Sequence, residues 1–351
     1  CGQLTITNIE GKAIKSFQQK NKKVLLSLSD QVSSINEIVI TYQGKPKKGL
    51  VFLNDPLQMY SVFFTSEWMV CNDQPNDKAT VAIELILPDH LNSIASGILT
   101  KKEKIAGNLL KHTWQQTTPS PTYTYGFAIG QFNEFHEDYC GTNLSYHAHN
   151  YTSEQLATIF QYTKDMLSFF EEKSGIPYFQ NAYAQALIGY HYQEMTGCTV
   201  LKNTYGSLVL KDSTETNLIG HELAHQWFGD LVTETSGTHH WLQEGFATYY
   251  ALLAERDIFG EDYYYWRLYE YAQELLDQER RGVSTSLLNP KSSSTTFYKK
   301  GCLVLHVLRD EVGDKAFRVA VKNYLEKHQF KNVETDDFIL EVEKASNKDL
   351  S

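Results

Sequence analysis

The stretch His221-Glu222-Leu223-Ala224-His225 sets two imidazoles four residues apart. On a helix, residues at that spacing lie one above the other on one face, so both rings can reach a single ion. Glu222 emerges beside them, where its carboxylate can hold a water at that ion. With 12 His and 25 Glu in 351 residues, chance gives this pattern about once in 35 sequences of the same composition. A further Glu 19 residues after the second His, Glu244 in Trp241-Leu242-Gln243-Glu244-Gly245, lowers that to roughly one in 500. Two neutral imidazoles and a carboxylate leave the fourth position of tetrahedral zinc open, which is the donor set of a catalytic site. The expectation is one Zn2+ held by His221, His225 and Glu244, with Glu222 as the general base of a hydrolysis.

Composition narrows the class from outside the motif. A hydrophobic fraction of 42% and a charged fraction of 21% are those of an ordinary soluble globular protein. With 22 Tyr and 18 Phe there is bulk for large cores, so the metal is not needed merely to fold the chain. The net charge of −10 argues against nucleic acid, because phosphate binding needs clustered Lys and Arg. Lys45–Lys48 read as a solvated turn. No apolar run approaches the roughly 18–20 residues of a membrane span. Five scattered cysteines with no Cys-x-x-Cys pair read mostly as buried thiols. Cys1 is also compatible with the lipidated first residue of a bacterial lipoprotein. The compartment stays open between cytoplasm and periplasm. Seven other histidines, His112, His147, His149, His191, His239, His240 and His306, are read as structural.

The texture changes along the chain. Val24–Ser29, Glu37–Tyr42 and Thr80–Leu87 are short, β-branched and separated by turn clusters such as Gln43-Gly44-Lys45-Pro46, and no helical period is sustained before residue 135. An antiparallel β-domain over 1–135 is expected. Over Ser153–Lys173, Leu156, Ile159, Phe160, Met166, Leu167 and Phe170 recur at helical spacing, with Ser153 as N-cap. Ala182–Tyr192, Cys198–Leu201 and Gly206–Leu210 read as strands. Helices are expected at about 217–230, 239–257, 262–281, 296–311, 314–327 and 336–346, with Gly260 and Gly313 at breaks. The fold class is α+β: the β-domain, then a catalytic domain over 136–351.

His221–Asp230 continuing into Leu231-Val232-Thr233, together with Trp241–Ala247, resembles the zinc segments of the aminopeptidase N and leukotriene hydrolase family of zinc metallopeptidases, the gluzincins. Tyr298-Lys299-Lys300-Gly301 resembles that family's Tyr-x-Lys-Gly motif. Trp68–Cys71, Pro75–Thr80 and Phe127–Gly130 resemble hallmarks of its N-terminal β-domain. The resemblance implies a thermolysin-like catalytic domain acting on peptide substrates, most simply as an aminopeptidase. It makes His221, His225 and Glu244 the ligands, Glu222 the base and Tyr298 the donor to the oxyanion. On spacing alone Tyr298 is equally a core aromatic. The family adds a C-terminal helical domain that is absent here, so the chain reads as a fragment or a shortened relative.

One segment departs from the pattern. The family's exopeptidases carry Gly-x-Met-Glu-Asn, whose Glu binds the substrate amine, whereas this chain has Gln193-Glu194-Met195-Thr196-Gly197. Aligned on Met195, the acid is replaced by Thr196. In one reading Glu194, on a shared strand face with Thr196, takes over the amine, and Glu194, Met195 and Thr196 form the substrate-binding edge. In another the anchor is lost and the chain is a hydrolase of altered specificity, on peptide or non-peptide substrates. A third keeps the fold as a catalytically silent zinc-binding scaffold.

Overall fold

Alternation with period two builds the first part of the chain. In Lys78–Pro88, Val81, Ile83, Leu85 and Leu87 turn inward while Ala82, Glu84 and Ile86 face water, the pattern of a sheet with one solvated face. The computed structural model describes residues 4–29 and 37–350; Cys1, and with it any lipidation there, lies outside them. Up to Gly130 the described strands pair antiparallel. Leu109–Pro121 lies between Lys78–Pro88 and Ile98–Lys104. A second sheet orders Gly49–Asn54, Leu57–Val62, Phe127–Gly130 and Asn92–Ala95.

From Asn133 a five-stranded mixed sheet begins. Its order is Asn133–Tyr139, Thr142–Ala148, Ala182–Leu187, Cys198–Leu201 and Gln193–Met195. The first of these strands runs across residues 135 and 136, and the last is an antiparallel edge strand. Helices then dominate. Trp241–Phe259 is the central one: every residue from Trp241 to Glu255 is buried, as a helix packed on all sides must be. Phe246 on it stacks on Phe228 at 4.5 Å between ring centroids and meets Phe338 edge-on at 4.9 Å. Among the described residues no helix is long and apolar enough to cross a membrane.

Several expected elements differ in detail. The helical period over Ser153–Lys173 is carried by two helices, Ser153–Ile159 and Thr163–Ser174. Leu156, Ile159, Phe160, Met166, Leu167 and Phe170 are all buried, so the apolar face runs through the break and hides it. The N-cap is Thr152, not Ser153: Thr152 and Gln155 close a reciprocal capping box. Gly206–Leu210 is not a strand but lies in the helix Tyr205–Lys211. Only one side of it is covered, with Val209 buried and Leu208 and Leu210 exposed. The helix through His221 stops at Ala224 rather than near 230, because the chain folds back: the Asp230 amide donates to the His225 carbonyl at 3.0 Å, and Gly229 takes φ +149°. Of the cysteines, Cys198 and Cys302 are buried, but Cys140 is exposed and Cys71 half-buried, so the thiols are not uniformly interior.

Before the helix Gly301–Val312 the chain makes a π-helical turn, Thr296–Lys300, which carries Tyr298. This unit is held against the central helix by glycines. A Cβ on Gly301 would stand 2.9 Å from the Cα of Gly245, and one on Gly245 would stand 3.0 Å from the Cα of Gly301. Backbone meets backbone there, one residue from Glu244 and three from Tyr298. Gly301→Ala should therefore destabilise the chain by about 1–3 kcal/mol through overpacking and displace Tyr298. A thermal melt should show a lowered midpoint; an unchanged midpoint would show that the two helices are not held by this contact.

Candidate metal centre

His221 and Glu222 lie in the helix Asn217–Ala224, His225 caps its C-terminus, and Glu244 lies in the first turn of Trp241–Phe259. His221 Nε2 and His225 Nε2 are 3.0 Å apart, and each is 3.3 Å from Glu244 Oε2. The ring nitrogens on the far side are engaged. His225 Nδ1 donates to the Phe228 carbonyl at 2.9 Å, and His221 Nδ1 faces the Thr248 hydroxyl at 3.4 Å. That hydroxyl donates to the Glu244 carbonyl at 2.7 Å. With Nδ1–H used in this way, both Nε2 lone pairs point at the same place.

All three donors are buried, and Glu244 Oε2 has no hydrogen-bond partner among the described residues. An unpaired buried carboxylate oxygen is costly. A triangle with edges of 3.0–3.3 Å is about the edge length of a tetrahedron whose bonds are roughly 2.0–2.1 Å, as for zinc. The donor set therefore fits one Zn2+. Glu222 stands beside it with Oε2 buried and unpartnered. Burial pushes its carboxyl well above the ordinary range; the His225 ring opposes this and the Glu194 and Glu244 carboxylates add to it.

These groups open into a cleft of about 850 Å³. Its walls come from both parts of the chain: Phe63 and Tyr123 from the β-rich part, Tyr192 just before the edge strand and Glu194 on it, Tyr298 from the π turn. The Tyr298 ring stacks on His221, with centroids 5.3 Å apart and planes 13° from parallel. Burial first, then the charges of Glu244, Glu194 and Glu222, keep its hydroxyl protonated far above the usual range, so it can act as a donor. The core-aromatic and cleft readings of Tyr298 are both partly met, since it packs against the core and lines the cleft.

Glu194 lies in the same cleft, and its carboxylate, that of Glu222 and the His225 ring each offer an atom within 4.8 Å of the others. Met195 and Thr196 do not line the cleft. Met195 packs among Tyr60, Val62 and Ile94, and the Thr196 hydroxyl bonds that of Thr124 at 2.7 Å. The expected common face of Glu194 and Thr196 fails because the strand ends at Met195. Thr196 and Gly197 are instead the two turn residues before Cys198. Gly197 takes φ +81°, which explains a glycine at that position. Gln226 clamps this turn, accepting from the Gly197 amide at 2.9 Å and donating to the Met195 carbonyl at 3.1 Å. Gln193 fills the other altered position. Its side chain accepts from the Phe63 amide at 2.6 Å and donates to the Tyr123 carbonyl at 3.0 Å, tying the β-rich wall to the strand that carries Glu194.

His240 is the residue that sequence reasoning set aside. Its Nδ1 lies 3.0 and 3.2 Å from the two Glu234 oxygens and its Nε2 lies 3.2 Å from Glu244 Oε1. Burial pulls the ring down, but the bonds to Glu234 and Glu244 and their charges outweigh it and raise it to about 10. The signal was present: His240 stands four residues before Glu244, so the two share a helical face.

Residues 158–351 match the family model described as the Peptidase family M1 domain. Glutamyl aminopeptidase of Rattus norvegicus is 29% identical over 306 residues, which cover 79% of this chain and 31% of that protein. Aminopeptidase M1 of Arabidopsis thaliana is 25% identical over 350 residues, covering 92% and 38%. The chain thus spans about a third of the length of these curated relatives. A crystal structure of an M1 zinc metallopeptidase variant from Deinococcus radiodurans, bound to a Tyr-Ser-Ala substrate, superposes with a TM-score of 0.83 at 25% identity, covering 99% of this chain and 82% of that one.

Zinc bound to the folded state alone stabilises it by about 4 kcal/mol at a thousandfold excess over Kd. Adding Zn2+ to chelator-treated protein should therefore raise the melting midpoint by roughly 5–10 °C. Glu244→Gln should lose most of that shift; a full shift in this variant would remove Glu244 from the ligand set.

Proposed function

This chain belongs to peptidase family M1, and from that premise we propose that it is a zinc aminopeptidase that removes N-terminal residues from peptides, with Glu194 holding the free amine. The observation that carries the reading is the Glu194 carboxylate, which shares the cleft with His221, His225, Glu222 and Glu244. A peptide's N-terminal ammonium needs a carboxylate partner in a partly desolvated site, since burying a charge without one is costly. Glu194 and Glu222 supply two carboxylates within 4.8 Å. The shift of the acid by two positions, from 196 to 194, is accommodated because position 196 has become a turn residue and 194 faces the cleft.

His221, His225 and Glu244 would hold the metal. Bound there, zinc polarises the scissile carbonyl and makes water acidic enough to attack at neutral pH. Glu222 takes the proton from the attacking water and delivers it to the leaving amine. Its unpartnered oxygen and its place in the cleft suit that transfer. Tyr298 donates its hydroxyl hydrogen to the oxyanion of the tetrahedral intermediate, and its stacking on His221 fixes the direction of that bond. Glu194 would fix the register of the peptide, so that the bond after its first residue is the one presented to Glu222. The β-rich part contributes the Phe63 and Tyr123 wall beside the amine.

Four measurements test this assignment. An aminoacyl fluorogenic substrate should be cleaved and its N-acetylated form should not; equal cleavage of both would sink the exopeptidase reading. Glu194→Ala should lower kcat/KM on the free-amine substrate roughly 10–100-fold, the scale of a charged hydrogen bond. Glu222→Gln should lower kcat by about 10²–10⁴ while zinc stays bound, and Tyr298→Phe by about 10²–10³.

A further inference from the structure

Glu244 has two carboxylate oxygens, and only Oε2 faces the imidazole pair. Oε1 lies 3.2 Å from His240 Nε2. We propose that His240 is a positioning residue that fixes the rotation of the Glu244 carboxylate and so presents Oε2 to the metal, with Glu234 holding the His240 ring in place. The proposal rests on the reading of His221, His225 and Glu244 as a metal site.

The ring is fixed from several directions. Its Nδ1 meets both oxygens of Glu234, at 3.0 and 3.2 Å. The Phe297 ring lies edge-on against it, with centroids 5.1 Å apart and planes at 83°. Glu234 is itself anchored, since Thr233–Glu234 pairs with Asn332–Val333. The Glu234 amide donates to Gln243 Oε1 at 3.0 Å, and Gln243 Nε2 donates to the Tyr123 hydroxyl at 2.8 Å. A line of hydrogen bonds therefore runs from the β-rich wall through Tyr123, Gln243, Glu234 and His240 to the second oxygen of Glu244.

With His240 Nε2 3.2 Å from Glu244 Oε1, an N–H directed there gives that oxygen a donor. A ligand carboxylate lacking such a donor is free to rotate and to exchange one oxygen for the other. Partners of this kind, one bond removed from the ion, tune metal affinity. His239, the preceding residue, does a different job: its Nδ1 lies 3.1 Å from the Thr335 hydroxyl and accepts from the Thr335 amide at 3.2 Å, fastening the start of the helix Thr335–Ser346.

The test is zinc affinity, measured by competition with a chromogenic chelator on the full chain, with melting midpoints recorded in parallel. His240→Ala should weaken zinc binding about 10–100-fold. His240→Gln, whose amide keeps a donor for Glu244, should recover part of that loss. His239→Ala should leave zinc affinity within about twofold of the parent while lowering the melting midpoint, as a purely structural histidine would. Zinc affinity unchanged in His240→Ala, or lowered equally in His239→Ala, would overturn the proposal. So would a His240→Ala variant that changes KM alone, since that marks a substrate contact. A parent chain that takes up no zinc would overturn the metal reading itself, and this one with it.

Discussion

Three buried lone-pair donors, His221 Nε2, His225 Nε2 and Glu244 Oε2, stand 3.0–3.3 Å apart, and the carboxylate oxygen has no hydrogen-bond partner among the described residues. Such a triangle is unfavourable unless a cation fills it. Much of the catalytic region can be understood as what holds those donors together. The helix Asn217–Ala224 supplies the pair, and the fully buried helix Trp241–Phe259 supplies the third donor. The Phe228 carbonyl and the Thr248 hydroxyl occupy the outer ring nitrogens.

Around this centre the fold arranges charge by position. The edge strand Gln193–Met195 sets Glu194 in the cleft, and Gln226, the residue after His225, clamps the turn that follows it. The π turn carries Tyr298 onto His221, and the glycine contact between 245 and 301 sets how closely it can come. The β-rich part is more than a neighbour. Through Gln193 it fixes Phe63 and Tyr123 as a wall, and Lys78 bonds the Asp230 and Leu231 carbonyls at 3.1 and 3.2 Å, just beyond the metal helix.

The sequence was legible wherever a signal was local. The antiparallel strands before Gly130 follow from period two, and most helices from period 3.6. It was least legible where burial overrode local preference. Ser153–Lys173 kept a continuous apolar face across a break, so periodicity could not show the interruption. Gly206–Leu210, with its short apolar run Leu208-Val209-Leu210, reads as a strand yet sits in a helix whose outer side is solvated. The helix after Thr216 ended early because the His225 ring bonds the Phe228 carbonyl, which requires a fold-back that no propensity encodes.

The altered segment at 193–197 marks the division most clearly. By itself the sequence picked out the candidate metal donors and base, because helical spacing brings His221 and His225 together whatever surrounds them, and Glu222 lies between them. Its resemblance to the family also implied that an acid expected at position 196 was replaced by Thr196. Only the tertiary structure decided what became of that position. Thr196 turns away to Thr124 and Glu194 enters the cleft, because the strand ends one residue earlier and Gly197 reverses the chain. The same holds for His240 and Tyr298, whose partners come from separate elements: Glu234 and Glu244 for one, His221 for the other. Contacts within one turn of helix are fixed by covalent geometry; contacts between elements exist only once the core has packed.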